Sequence, residues 1–378
     1  MKRLALALAF AGLALCLGCA GGAAPGPASA PAPTGSSRAP YDAPPESGST
    51  VAIRVDAKAA RQILEALSRP RLDAADAKVL QDLRAVSLAI RDSTRTPDVF
   101  ERDFALAFQS ENQPAVFDFK SVRDHKDLWQ PLLEGVLARE PDLVRLAQRR
   151  SASLLPADAA VSVRLDVDFT FALAGLEDDL VVRSPEGSEL MIIDFGKALT
   201  DSEGASLDAH LSRLSRLIAG EGCRLAWNAY RESSPAWKKA DPQLGQLEPL
   251  LKMVAGSSPL GLFSVDESFF PLSAWLKDPM KRALDDLNRR ADQFAQAQEN
   301  LDARMELAAE LRRPDFARRV AGPIGAFLAD AIAQDAGPAG LRAALQAGPR
   351  AFFAAYDRAA SKNRDLTPLA KAIKEKLK

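Results

Sequence analysis

An α+β fold, mainly α, with a small antiparallel or mixed sheet follows from three features of the sequence. Apolar residues recur at helical spacing through most of residues 51–378, and several of these runs open with an Asp or a Pro where a helix would start. Strand patterns are few and short: VAIRV at 51–55, VSVRLDVDF at 161–169, and ELMIIDF at 189–195, the last separated by a turn at 184–188 from Leu180–Val182. No linker rich in Pro, Gly and Ser divides 51–378, so it reads as a single globular domain.

Residues 1–18 read as a secretory signal peptide. Lys2 and Arg3 precede an apolar run from Leu4 to Leu17, which ends at Gly18-Cys19. A small residue before a cysteine has the form of a bacterial lipobox, although Cys16 stands where leucine is usual. The run is too short for a membrane span, which needs about 20 apolar residues. Cys19 is therefore expected to carry lipid, and 19–50, rich in Ala, Pro, Gly and Ser, to act as a tether. This places the chain in the bacterial cell envelope, anchored to a membrane through Cys19 and facing the periplasm or the surface. Loss of Lys2 and Arg3 would take the net charge from −1 to −3, which offers no electrostatic basis for nucleic acid as a partner. With Cys16 removed and Cys19 lipidated, Cys223 has no disulfide partner and reads as a small helical packing residue.

Within the domain, Asp56 is placed to cap the helix that follows VAIRV, and helices are expected over 74–90, 98–108, 127–138 and 142–150. His125, among charges in SVRDHKDLW, reads as a solvated residue at a helix start rather than a ligand. In VSVRLDVDF the residues Asp166 and Asp168 project to one side. They read as the wet face of an antiparallel or edge strand rather than as a cation site, since a hard cation needs several more oxygens. The aromatics scattered over 233–279 read as the local core of a loop-rich cap. From Asp278 a seam through Leu284, Leu287, Ala291, Phe294, Gln298, Leu301, Met305 and Ala308 predicts a long intramolecular strut. Small residues at 322, 325, 326, 329 and 333 predict a close helix crossing, with stops at Gly337-Pro338 and Gly348-Pro349. The closing KAIKEKLK reads as a solvated helix end, with a membrane-surface contact as the alternative.

The chemistry turns on Leu207–Glu232. At about 100° per residue, Leu211, Leu214, Ile218 and Leu225 lie within roughly 40° of Leu207, while His210 and Glu221 share one flank of that face. Eleven residues at about 1.5 Å each separate these two by roughly 16 Å, too far to share a metal unless the helix breaks at Ala219-Gly220. The Glu221-Gly222 pair within LIAGEGCRLAW, together with 320–360, resembles a bacterial family of zinc-dependent peptidases of the gluzincin type, whose H-E-x-x-H helix is followed by a helix with an E-G pair. That resemblance implies a metallopeptidase-like fold. His210, followed by Leu211 and Leu214 where the base and second histidine belong, departs from the pattern, and the chain holds only two histidines. A two-His, one-Glu zinc site would have to recruit His125. Serine and cysteine nucleophile arrangements also need a histidine held by a third group. The expectation is thus a lipid-anchored protein that has lost catalysis, holds no cofactor or metal, and binds a peptide or protein partner. The alternatives are a zinc-dependent hydrolase with an unconventional site around His210, Glu221 and Asp208, and a structural helical lipoprotein.

Overall fold

Four short strands form the only sheet among the described residues: β1 (Thr50–Asp56), β2 (Ser162–Thr170), β3 (Asp179–Arg183) and β4 (Glu189–Asp194), in the order β1-β2-β4-β3. The computed structural model describes residues 48–378 except 72, 112, 174–175, 177–178, 184–188, 201–203, 266–269, 273–275, 298–299, 312, 314–315 and 317–319. The expected signal peptide, Cys19 and nearly all of the tether lie outside the described residues. β1 and β4 both run parallel to β2, with Asp56 opposite Asp168 and Leu165 opposite Glu189, while β3 is antiparallel to β4. The sheet is mixed, and helices predominate around it, so the chain is α+β and mainly α.

β2 is not the half-solvated strand that its alternating sequence predicts. It is an inner strand, and Asp166 and Asp168 are only 5% and 6% exposed. Neither acid faces water; each is covered by a guanidinium. Arg164 Nη2 lies 3.0 Å from Asp166 Oδ1, and Arg84 grips Asp168 through Nε at 3.0 Å and Nη2 at 2.6 Å. A strand with parallel neighbours is buried on both faces, and the alternation of acids here records a row of ion pairs, not a solvated edge.

The crossover from β1 to β2 holds α1 (Lys58–Ser68), α2 (Ala74–Gln81), α3 (Arg84–Asp92), α4 (Pro97–Leu106), α5 (Phe119–Asp124), α6 (Lys126–Ala138) and α7 (Glu140–Ser153). Asp56 does not cap α1, whose N-cap is Ala57; from the preceding position it accepts a hydrogen bond from Lys58 N at 2.7 Å and closes the turn into the helix. The helix predicted over 74–90 is instead two. Leu83 is extended, and the restart at Arg84 aims that side chain at Asp168. Phe100, Phe104, Phe117 and Phe119 pack together with centroids 5.1–6.3 Å apart and supply the core of this half.

After β4 come α8 (Phe195–Leu199) and α9 (Leu207–Ser233), the helix on which the domain is assembled. Ser206 caps it, its Oγ accepting from Ala209 N at 3.3 Å. α9 packs against α7, β1, β2 and α11 (Glu248–Phe263), the helix reached through the short α10 (Pro235–Lys238). Gly222 marks the tightest crossing, because a Cβ there would come within 2.5 Å of Ser151 Oγ and 3.1 Å of Val51 Cγ1. Trp237 is buried against Trp227 and donates to the Leu345 carbonyl at 2.8 Å, which puts it in the core, while Phe263 and Phe270 are half-buried against it; Phe269 and Trp275 lie outside the described residues.

Toward the C-terminus lie α12 (Lys277–Gln296), α13 (Leu301–Leu311), α14 (Gly322–Gln346), α15 (Pro349–Lys362) and α16 (Lys371–Leu377). The predicted close crossing joins α14 to α11: a Cβ on Gly325 would meet Val254 O at 2.5 Å, and one on Gly261 would collide with the Gly322 carbonyl. α14 breaks at Gly337, whose φ of 74° suits glycine and stops the first segment where the Gly-Pro pair predicted. The predicted strut is shorter than its sequence pattern. α12 buries Met280, Leu284, Leu287, Ala291 and Phe294, but a separate α13 turns back so that Arg290 meets Glu310 at 2.7 Å, leaving Leu301 and Met305 66% and 62% exposed. α16 is docked rather than merely solvated, with Ile373 fully buried and Lys374 Nζ 3.2 Å from Asp357. No helix among the described residues is long and apolar enough to cross a membrane.

Candidate functional site

α9 runs unbroken from Leu207 to Ser233, so the break at Ala219-Gly220 that would bring His210 to Glu221 is not made. The two stay about 16 Å apart along the axis, and each has its own surroundings. Leu211 and Leu214 are both buried in the core.

Glu221 sits on the side of α9 that reaches the start of β4 through Arg224. Arg224 Nε reaches its two oxygens at 2.8 and 2.9 Å, and the same guanidinium ion-pairs with Glu189 at the start of β4. Two carboxylates thus share one guanidinium in a largely buried place. Burial first, and then the Asp179 carboxylate, push Glu221 up to about 7. Its neighbour Cys223 is fully buried, and burial raises its thiol far above the ordinary range, so it is a packing residue and no nucleophile.

His210 lies at the other end of α9, where α6 is the neighbour. Between α6 and the α9 N-terminus is a half-open cavity of about 490 Å³, with apolar walls that include Trp129, Leu132, Leu199 and Leu207. Gly135 brings the helices together, its would-be Cβ lying 3.4 Å from Leu207 Cδ1. Both histidines of the chain line this cavity. His125 is exposed at the N-cap of α6, as the sequence implies, yet it shares the cavity with a residue 85 positions later; local spacing carries no signal of that.

Each ring is oriented by the backbone. His125 Nδ1 is 2.8 Å from the Ser121 carbonyl, an acceptor only, so Nδ1 carries a proton, and in the neutral ring Nε2 is the acceptor. The His210 ring hydrogen-bonds the Ala205 backbone. Burial and the nearby Arg213 charge lower its pKa against that bond, which keeps the ring neutral at pH 7. Asp127, in the first turn of α6, contributes a carboxylate to the same cavity. His125, Asp127 and His210 do not converge: among the described residues no three His, Cys, Asp or Glu are placed to hold a metal ion. What the cavity offers is an apolar trough with acceptor groups at its rim.

A second, smaller cavity of about 230 Å³ opens at the carboxyl ends of β1 and β2, lined by Asp56, Lys58, Asp82, Arg84 and Asp168. Such an edge often holds ligands in parallel sheets. Here its buried acid is already satisfied, because the Arg84 fork fills both Asp168 oxygens. Burial nevertheless holds the Asp168 pKa above its ordinary value, against the pull of Arg84. Comparison with known proteins gave no match: no family model, no curated protein and no solved structure resembles the chain.

Proposed function

We propose that this is a cell-envelope protein, lipid-anchored through Cys19, whose globular part binds a peptide segment of a partner in the α6/α9 cavity and does not catalyse. The observation that carries the reading is the cavity itself, roughly the size of a small-ligand site, with both imidazoles of the chain oriented by backbone contacts along its wall. Peptidase chemistry draws no support from the helix that suggested it. The Glu221-Gly222 pair has a packing explanation on each side, Glu221 holding the Arg224 that ties α9 to Glu189 of β4 and Gly222 admitting Ser151. Kinship with the gluzincin-type peptidases would then lie in the packing of that helix and not in a metal site.

Gly135→Leu tests the cavity. The new side chain would project toward Leu207 and fill the trough while favouring the helix, since glycine in a helix interior is worse by about 1 kcal/mol. Peptides selected on the purified protein are expected to lose binding to this variant. Peptides that bind it unchanged would place the partner site elsewhere. Cys19→Ala tests the anchor: the chain is expected to leave the membrane fraction or to remain unprocessed, and a variant that fractionates like the parent removes the lipid from the proposal.

A further inference from the structure

The charge and hydrogen-bond inventory of the α6/α9 cavity is one-sided. Among the described residues no lysine or arginine lines it. The donors it owns are largely spent on backbone: His125 Nδ1–H goes to the Ser121 carbonyl at 2.8 Å, and Thr200 Oγ1–H goes to the Gly196 carbonyl at 3.0 Å. His125 Nε2 and the remaining lone pairs of Thr200 accept. Asp127 adds a carboxylate that meets no cation within ion-pair distance among the described residues, whereas Asp142 of α7 is held by both Arg139 and Arg145. Beside it Leu128 is 40% exposed, one of few large apolar side chains left in water among the described residues, and Trp129 lines the same space.

From this we infer that the cavity selects a cationic peptide segment, one that seats a large apolar side chain against Leu128, Trp129 and Leu132 and places a neighbouring lysine or arginine at Asp127. The inference rests on the cavity being the binding site. An anionic or purely acceptor ligand would set its charge against Asp127 and leave His125 Nε2 facing another acceptor. A cation satisfies the carboxylate.

The chain reports on itself, because His125 and His210 are its only imidazoles and give two resolvable ring signals. The purified full chain, labelled at histidine, is titrated with three blocked dipeptides of matched size, acetyl-Phe-Lys-amide, acetyl-Phe-Gln-amide and acetyl-Phe-Glu-amide. Both ring signals are expected to move with the Lys peptide, which binds about three- to fivefold more tightly than the Gln peptide, the worth of one exposed ion pair. The Glu peptide is expected to be the weakest, and Asp127→Asn to bring the Lys peptide down to the Gln peptide. If all three bind alike, or the Glu peptide binds best, the charge selection is wrong while the cavity stands. Should none of them move either signal, the cavity is not a peptide site and both proposals fall.

Discussion

The two ends of one helix, α9, teach opposite lessons about what a flank residue becomes. His210 and Glu221 occupy neighbouring angular positions in projection, and both are largely buried. Around Glu221 the strands and α7 close in, and the carboxylate is locked by a guanidinium that also holds Glu189. At His210 the sheet has ended and α6 leans across at Gly135, leaving unfilled volume. Where elements pack closely against it, a polar residue becomes part of the packing; where they leave unfilled volume, it becomes the wall of a site.

Arg224→Ala should break the first half of this contrast with the largest effect. It leaves Glu221 and Glu189 facing each other in a mostly buried place without the shared cation. Removing one partner of such a pair is expected to lower stability by about 3 kcal/mol in urea melts at pH 8. A variant as stable as the parent would mean that the ion triad does not hold α9 to the sheet.

Glu221→Ala should do less, and its effect should depend on pH. At pH 5 the loss is expected at about 1–3 kcal/mol, since it strips a buried group from its partners. Because the folded-state pKa of Glu221 is raised to about 7, the folded chain holds the proton where the unfolded chain has released it. The stability linked to that proton is therefore present at low pH and is lost as pH rises through about 7. The penalty of Glu221→Ala should shrink on the order of 2 kcal/mol between pH 5 and pH 8. Equal penalties at the two pH values would show Glu221 to be ionised throughout.

Residues on either side of these two show what a single sequence conveys. The helical class, the short strands, the Gly337-Pro338 stop and the close crossing at Gly325 are local matters of period, backbone freedom and side-chain size, and they are legible. Gly220 reads in the sequence as the place where the helix could break. As a helix breaker it would have built a metal site; in the fold it stays helical, and its missing side chain admits Phe263, whose Cβ lies only 3.1 Å from a would-be Cβ. Glycine in a helix marks either a break or a close neighbour, and the neighbour lies 43 residues off. Asp166 and Asp168 misled for the same reason, since the Arg84 that covers Asp168 comes from a helix 84 residues earlier. The cavity was the least legible feature of all. It is made by the meeting of α6 with α9, and His125 bears no pattern that points to His210.

The smallest effect belongs to His210, and it runs the other way with pH. His210→Ala enlarges a cavity that is already open, so it is expected to cost about 1 kcal/mol or less at pH 7.5. Burial and Arg213 hold the folded-state pKa below the ordinary value of about 6.5, against the bond to Ala205. As pH falls the unfolded chain takes up this proton first. The stability tied to the neutral ring is thus fully present above about pH 6.5 and is lost as pH drops through the folded value. A histidine-labelled titration should find one ring, identified by its loss in His210→Ala, protonating later on acidification than a free imidazole. Urea melts at pH 5 and 7.5 should show a shallower pH dependence in the variant than in the parent. If His210 titrates like free imidazole and the two slopes agree, the ring is in water, and the contrast between the two ends of α9 reduces to one carboxylate and its guanidinium.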